Sequence, residues 1–327
     1  MVQVVFVPGI FGTKMRSADG FELWPPIGQS EPMDPETRAR GLIAEDTKPD
    51  GLLENIPILP LIDVPEYGPI LKAIGRFPEV NLIRFAYDWR ADIADSAAQL
   101  AETIKALPLD EDVVLVAHSM GGLVCRIMLE SKQRQRQRWF RSIKSAVLVA
   151  TPHLGAPEAI FRVTGLEGLN WLIFPGTCLK IMGSVPERFP AGHQLLPPSS
   201  RQCVRLPNGR MSSVAASFPE ISKIGLEKME AMHAILATYS RPTTVQYKAA
   251  WGYGQSQTSG GAVLDDRGRV THDWQDGDGT VPVWSAMPGT PHGFFVQSAS
   301  FRGTHLGILN DVSFIDQLQR WIAEPVA

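Results

Sequence analysis

The most reactive set of side chains in the sequence begins with a serine. Ser119 lies in VLVAHSMGGLV (114–124), at the point where an apolar run ends. If Ser119 occupies the apex of a tight strand-to-helix turn, the residues two positions before and after it must be small. Ala117, where the usual pattern has glycine, and Gly121 meet this requirement. The pattern predicts a nucleophile elbow, which exposes a serine hydroxyl for attack on an acyl carbon.

A serine hydroxyl is a weak nucleophile, so it needs a general base and a carboxylate that orients the base. On sheets with this elbow the three residues follow the chain order serine, acid, histidine. Asp278 lies between two glycines in DGDGTVP (276–282), and His305 follows in GTHLGIL (303–309). We therefore predict that Asp278 orients His305 and that His305 deprotonates Ser119.

Other acids and histidines compete for these roles. Asp276 and Asp273 are alternative acids, and the Gly-Asp-Gly setting favours Asp278. A calcium loop over these aspartates is excluded, because residues without side-chain oxygens fall at ligand positions and Met287 falls where the bidentate glutamate belongs. His153, in ATPHLGAP (150–157), is the second candidate base.

The remaining histidines are interpreted as structural. His118 adjoins the serine but should point away from it, and His272 and His292 read as loop residues. Three cysteines are too few and too scattered for a disulfide framework or a zinc site, and pairing of Cys178 with Cys203 is left open.

Acyl transfer also needs N–H donors for the tetrahedral oxyanion. One comes from the residue after the nucleophile, Met120, and the other from a loop after an early strand. VPGIFGTKM (7–15) provides that loop, with the N–H of Ile10 as first choice and that of Phe11 as the alternative. A phosphate-binding loop is excluded here because the glycine–lysine spacing is wrong.

Short apolar runs that alternate with helical patterns must position these loops. The runs are 2–8, 81–87, 113–119, 143–151, 243–252 and 293–300, and the helical patterns cover 92–107, the stretch after Ser119, and 307–324. Continuous apolar strands separated by helices predict an α/β fold with a mostly parallel sheet that helices cover on both faces.

Two segments rich in proline and glycine interrupt this alternation of predicted strands and helices. We interpret 16–66 as an early lid-like insertion and 157–242 as a cap, leaving 1–156 and 243–327 as the core. Both insertions should lie over the carboxyl edge of the sheet, where such sheets bind ligands. The candidate substrate contacts are aromatic: Phe11, Trp24, Trp171 and Phe174.

Charge and composition limit the classes of binding partner that we expect for this protein. The 327 residues carry a formal net charge of −3, which speaks against nucleic acid as a partner. The basic stretch 132–141 is interpreted as a solvated helix end, with an anionic membrane surface as the alternative. A signal peptide and an apolar run of the ~18 residues that span a bilayer are both missing, so we expect a cytoplasmic protein, with signal-independent export left open.

Taken together, the motifs resemble the lecithin:cholesterol acyltransferase and lysosomal phospholipase family of α/β-hydrolases. The similar segments, in order, are 7–15, AYDWR (86–90), 117–124, 151–157, QLLP (194–197), 276–282 and 303–309. The resemblance implies an α/β-hydrolase fold with an inserted cap or lid, and the same assignments of Ser119, Asp278, His305, Ile10 and Met120. It implies no cofactor and no metal. Asp88 and Arg90 are expected to hold a strand end and nearby loops.

The expected activity is hydrolysis of acyl-lipid or other carboxylic esters through an acyl-enzyme, with peripheral membrane contact as a further expectation. An O-acyltransferase that passes the acyl group to an alcohol or sterol shares the first half-reaction and is the alternative. Inositol deacylases of GPI anchors share this type of elbow but leave AYDWR and QLLP without counterparts. A non-catalytic member that binds lipid or protein is the last alternative.

Overall fold

The computed structural model describes residues 1–25, 33–59, 62–167, 176–287, 289, 291 and 293–324. The strands are β1 Val2–Val7, β2 Thr13–Arg16, β3 Glu22–Trp24, β4 Lys48–Leu52, β5 Asn55–Leu59, β6 Ile62–Pro65, β7 Val80–Arg84, β8 Asp112–His118, β9 Ile143–Val149, β10 Val204–Arg205, β11 Met211–Ser212, β12 Gln246–Tyr253, β13 Thr258–Leu264, β14 Val270–Gln275 and β15 Gln297–Arg302.

Helices connect these strands and cover the sheet. They are α1 Pro35–Leu42, α2 Gly68–Ile74, α3 Ile93–Lys105, α4 Met120–Leu129, α5 Lys132–Gln135, α6 Glu158–Val163, α7 Gly176–Gly183, α8 Pro190–Gln194, α9 Val214–Ser217, α10 Lys223–Leu236, α11 Val283–Ala286 and α12 Val312–Ala323, with 3-10 helices at Arg138–Ser142 and Gly307–Asn310. None of the helices in the described residues is both long and apolar enough to cross a bilayer.

The six apolar runs predicted as strands form one sheet. Its order is β15-β12-β9-β8-β1-β7, and every neighbouring pair is parallel. Parallel strands need crossover connections, and helices serve that purpose here. The predicted fold class, a parallel sheet with helices on both faces, is confirmed.

The inner strands β1, β8 and β9 bury both of their faces, which is why their runs are continuously apolar, whereas the edge strands β7 and β15 leave some residues exposed. In β8, Val113, Leu115 and Ala117 pack in one hydrophobic core with α3 and α4. Val114 and Val116, which point to the opposite face, pack in a second core with α2 and α12. Successive side chains of a strand alternate between faces, so one apolar run serves two cores.

Capping aspartates determine where two of the predicted helices start. The Asp92 carboxylate accepts a hydrogen bond from the Ala94 N–H at 3.0 Å and begins α3, as predicted. Asp311 accepts from the Phe314 N–H at 3.0 Å and begins α12. The predicted helix at 307–324 was therefore too long at its start, where Gly307–Asn310 forms a separate 3-10 helix.

The predicted insertions contribute small sheets. Strands β3 and β4 of the early segment pair with β2, which ends where that segment begins, in a sheet of order β3-β2-β4, and β5 and β6 form a hairpin. Strands β10 and β11 of the 157–242 segment join β13 and β14 in a four-stranded sheet. The division into core, lid and cap remains a prediction. Cys125, Cys178 and Cys203 are all free thiols, so the 178–203 pair is not bridged.

Candidate active site

Ser119 occupies a strained turn between β8 and α4. Its backbone has φ +53° and ψ −126°, in the left-handed region that costs a residue with a side chain ~1–3 kcal/mol. The turn is too crowded for larger neighbours: a Cβ on Gly121 would lie 2.4 Å from the carbonyl oxygen of Val7. The Ser119 N–H donates to the Val149 carbonyl at 2.8 Å, which holds the turn against β9. This is the geometry predicted from the small residues around the serine.

The Asp278 carboxylate is buried and fully hydrogen-bonded. Its Oδ2 lies 2.7 Å from Nδ1 of His305. Its Oδ1 accepts from the N–H groups of Thr280 at 2.9 Å and Val281 at 2.7 Å. With both oxygens occupied, the carboxylate has one orientation, and it fixes which imidazole nitrogen of His305 faces away from it.

His305 lies beside the turn that carries Ser119. The imidazole rings of His305 and His118, the residue before the serine, have centroids 4.6 Å apart. Nε2 of His118 lies 3.0 Å from the His305 carbonyl oxygen. Ser119 Oγ forms no hydrogen bond within 3.5 Å to the residues described. Catalytic hydrogen bonds are often long without substrate and shorten in the bound complex.

The competing acids and base make other contacts. The Asp276 carboxylate accepts from the main-chain N–H of Gly277 at 2.9 Å, and Asp273 pairs with Arg205 at 3.3 Å. His153 is buried with its Nδ1 3.3 Å from the Arg126 guanidinium. Burial and the Arg126 charge together hold the pKa of His153 well below its usual range. These surroundings do not favour His153 as the base.

The turn after β1 packs directly against the serine. A Cβ on Gly9 would lie only 2.9 Å from Cβ of Ser119. The turn is closed by the Gly12 N–H, which donates to the Gly9 carbonyl at 3.1 Å. Within the described part of the chain, the Ile10 N–H has no acceptor, and the Met120 N–H belongs to the first turn of α4, where N–H groups lack intrahelical acceptors. Both predicted oxyanion donors are thus available.

Aromatic side chains pack beside this turn. Phe11, at φ +64°, has its ring centroid 5.1 Å from Trp24 and 4.5 Å from Trp89. Trp24 is buried, and its Nε1–H donates to the Phe11 carbonyl at 2.6 Å. Phe11 is partly exposed and can contact substrate, whereas Trp24 mainly supports it. Two other predicted contacts, Trp171 and Phe174, lie outside the described residues.

The AYDWR segment stabilises the surrounding loops. Arg90 donates to the carbonyl oxygens of Leu42 and, at 2.8 Å, Thr47, and it pairs with the Asp88 carboxylate at 2.6 Å. This is the supporting role expected of Asp88 and Arg90. Trp89 stands between these two residues in the sequence and was not predicted to have a role. It is fully buried and donates its Nε1–H to the Thr13 carbonyl at 2.9 Å.

His272 is not the loop residue that we predicted. It lies in β14, with its ring stacked between Phe161 at 3.7 Å and Trp274 at 4.1 Å. Its Nε2 lies 2.8 Å from the Glu167 carboxylate. In the described ranges, Glu158, Glu167 and His272 form one group whose ligand atoms lie within 4.8 Å of one another. His292 lies outside the described residues.

Glu66 is a second carboxyl group near His305, and no sequence pattern predicted it. Burial raises its pKa from 4.5 to about 7, and the electrostatic interaction with His305 partly opposes this shift. Because the folded protein holds this proton more tightly than the unfolded chain, the contribution of Glu66 to stability is complete below about pH 4.5 and is lost as the pH rises through about 7.

Replacing Glu66 should remove that pH dependence. We expect Glu66→Gln, which stays neutral, to raise the free energy of unfolding at about pH 8 by about 1–3 kcal/mol relative to the wild type, with a much smaller difference at about pH 5. Urea unfolding at the two pH values measures both differences. An equal effect of the substitution at both pH values would contradict the raised pKa of Glu66. The control is Glu54→Gln, which removes an exposed ion pair with Arg84.

The chain was compared with known proteins. The family model "Lecithin:cholesterol acyltransferase" matches residues 69–214, a range that includes the elbow. Residues 69–214 are therefore similar to that family. The resemblance found from the motifs is thereby confirmed, and the family is one of lipid-ester hydrolases and acyltransferases. The match ends before Asp278 and His305, so their roles depend on the geometry described above.

Individual proteins that are similar to this chain are distant in sequence. It is similar to the crystal structure of the Tle4-Tli4 complex, with a TM-score of 0.65 and 16% identity over 98% of each chain. Lipase BlEst2 of Bacillus licheniformis in mature form aligns with a TM-score of 0.46 and 14% identity over 98% of this chain and 91% of that chain. The chain has the α/β-hydrolase fold.

One curated sequence also matches part of this chain. Uncharacterized protein YJR098C of Saccharomyces cerevisiae is 27% identical over 139 residues, which is 39% of this chain and 20% of the yeast protein. The match therefore spans about a fifth of that protein's length.

Proposed function

We propose that this protein is a serine carboxylic-ester hydrolase that cleaves acyl lipids through an acyl-enzyme. The observation that carries the proposal is the strained Ser119 turn beside a histidine that a buried carboxylate holds at 2.7 Å. Strain at a residue with a side chain persists only where the surrounding structure imposes it, and it concentrates at functional sites. A buried aspartate on one imidazole nitrogen leaves the other free to accept the serine proton.

The reaction runs in two halves. Ser119 Oγ attacks the ester carbonyl while its proton passes to Nε2 of His305, and Asp278 stabilises the imidazolium. The N–H groups of Ile10 and Met120 stabilise the oxyanion of the tetrahedral intermediate. The intermediate collapses, the C–O bond to the leaving alcohol breaks, and His305 gives that alcohol its proton. Water, deprotonated by His305, then attacks the acyl-enzyme and releases the fatty acid and the serine.

A second function has specific support. The family model that matches residues 69–214 carries the name of an acyltransferase. In a transferase the acyl-enzyme forms in the same way, and the hydroxyl of an alcohol or sterol replaces water in the second half. The two functions differ only in the acceptor, so the experiment must follow the acyl group.

The position of the basic stretch 132–141 indicates whether it could hold the protein on a membrane that contains the substrate. It follows α4, which has ten residues and begins at the serine, so the stretch starts ~15 Å away, at the opposite edge of the sheet. Lys132, Arg136 and Arg138 are exposed there. A membrane bound by this stretch would face away from Ser119, which favours the solvated-helix interpretation. Any contact with a lipid surface during catalysis is expected at the edge that carries Phe11.

The proposal is tested by incubating the protein with vesicles of mixed phospholipids and a sterol and analysing all lipids afterwards. Free fatty acid and lysophospholipid are expected for a hydrolase, and a sterol ester identifies a transferase. Esters of p-nitrophenol with increasing acyl chain length then separate a lipase from a short-chain esterase. Absence of every product, with Ser119 unreactive toward a fluorophosphonate, would favour a non-catalytic binding protein.

A further inference from the structure

We propose that Tyr67 and His118 are positioning residues, which join the oxyanion turn to the loop of the catalytic base through one directed chain of hydrogen bonds. The inference rests on the proposed function, because it assigns these residues a role in the same reaction. Neither side chain touches the position of the reacting atoms, and each acts through a neighbour of a proposed catalytic group.

The chain of hydrogen bonds has three links. The Gly9 N–H donates to the Tyr67 hydroxyl oxygen at 3.0 Å. That hydroxyl lies 2.9 Å from Nδ1 of His118. On the other side of the imidazole, Nε2 of His118 lies 3.0 Å from the carbonyl oxygen of His305. The links connect four residues that lie far apart in the sequence: Gly9 after β1, Tyr67 before α2, His118 at the end of β8, and His305 after β15.

The donors and acceptors allow one arrangement of protons. The Gly9 amide can only donate, so the Tyr67 oxygen accepts there, and the His305 carbonyl can only accept, so Nε2 of His118 must carry a hydrogen. Nδ1 of His118 is therefore unprotonated, and the hydrogen of the neutral ring is on Nε2. Nε2–H then donates to the His305 carbonyl, which can only accept. Each of these donors and acceptors is satisfied in this arrangement.

Burial keeps this arrangement neutral. Tyr67 and His118 are each about 2% exposed. Burial, with the nearby charge of His305, holds the pKa of His118 well below its usual range, and burial raises that of the Tyr67 hydroxyl. This neutrality matters because the two imidazole rings are 4.6 Å apart, and a charged His118 would oppose formation of the His305 imidazolium.

The chain of hydrogen bonds acts on each proposed catalytic group through a residue or main-chain atom next to it. Gly9 precedes Ile10, the proposed oxyanion donor, and His118 precedes the nucleophile. The third link holds the main chain of His305 itself, from which the imidazole extends. A small displacement of any of these groups lowers the rate of acylation, because misplacement of about 1 Å costs up to ~10²-fold.

Tyr67→Phe interrupts the chain of hydrogen bonds by removing one oxygen atom. We expect kcat for acyl-ester hydrolysis to fall by about 10–100-fold with KM within about twofold of the wild type, after active-site titration corrects for inactive protein. Tyr87→Phe is the matched control. Its hydroxyl is equally buried and donates to the Pro8 carbonyl at 2.9 Å, one residue before Gly9, but it contacts neither histidine.

The tautomer of His118 separates positioning from a general loss of structure. Nitrogen-15 NMR of histidine-labelled protein reports it, with the His118 signals assigned by their loss in His118→Gln. We expect a neutral Nε2–H ring in the wild type and in Tyr87→Phe, and a mixture of tautomers in Tyr67→Phe. Three results would each overturn the inference: a wild-type Nδ1–H ring or imidazolium, an unchanged tautomer in Tyr67→Phe, or an unchanged kcat in that variant.

If wild-type protein hydrolysed no ester, the proposed function would fail, while the wild-type spectrum would still decide the proton arrangement.

Discussion

Ser119→Ala is expected to lower kcat for acyl-ester hydrolysis by about 10⁴–10⁶-fold, the largest effect of any single substitution in this protein. The change removes one oxygen atom, and without it no acyl-enzyme can form. Alanine keeps the Cβ in the crowded turn, so the strain at φ +53° and the fold should both persist. Initial rates with a p-nitrophenyl ester and a circular dichroism spectrum measure activity and folding together.

Ser96→Ala provides the control for that substitution. Ser96 is also a buried serine, but it lies in α3, apart from the three loops of the site. We expect its activity to stay close to that of the wild type. Residual turnover in Ser119→Ala above about one hundredth of the wild-type rate would show that another group serves as nucleophile or that water attacks directly.

Asp278→Asn should lower kcat by about 10⁴-fold at neutral pH while leaving the fold intact. The reason lies in the hydrogen bonds of the carboxylate. Oδ1 accepts from the N–H groups of Thr280 and Val281, so the oxygen of an asparagine must remain there. Its NH₂ group then faces Nδ1 of His305, which has to become an acceptor. The ring proton moves to Nε2, and that nitrogen can no longer take the proton of Ser119.

Asp276→Asn distinguishes this explanation from a general effect of charge in the loop. Asp276 is two residues away and exposed, and its Oδ1 accepts only from main-chain N–H groups, those of Gly254 and Gly277. We expect kcat to change by less than about tenfold, because no histidine depends on this carboxylate. A loss as large as that of Asp278→Asn, or an active Asp278→Asn, would mean that the acid is misassigned.

The parts of this molecule that the sequence predicts are those determined by local chemistry. β8 follows from a continuous apolar run, because both faces of the strand are buried, and the turn at Ser119 follows from the small residues on either side. Ser119 and His305 likewise follow β8 and β15, whose carboxyl ends a parallel sheet brings to one edge. Asp278 instead follows β14 of the small sheet and lies beside Gly252 in β12. These features need little knowledge of which distant residues meet.

The parts that sequence reasoning missed depend on distant contacts. Tyr67 meets His118 across 51 positions of the chain, and no local pattern marks it. His118 was interpreted as structural because it should point away from the serine, and its ring in fact reaches the main chain of His305. His272 was read as a loop residue, although pairing of β14 with β13 places it in a strand, where its ring stacks on Phe161 and Trp274. Such contacts arise only when the packed elements are in place.

Reaction with a fluorophosphonate, followed by mass spectrometry of the intact protein and of its peptides, tests the central claim most directly. The reagent phosphonylates a serine only where a base has activated it and oxyanion donors hold the product. We predict one adduct per chain, located on Ser119, with much slower labelling in Asp278→Asn. An unlabelled wild-type protein, or an adduct on any other residue, would contradict the account.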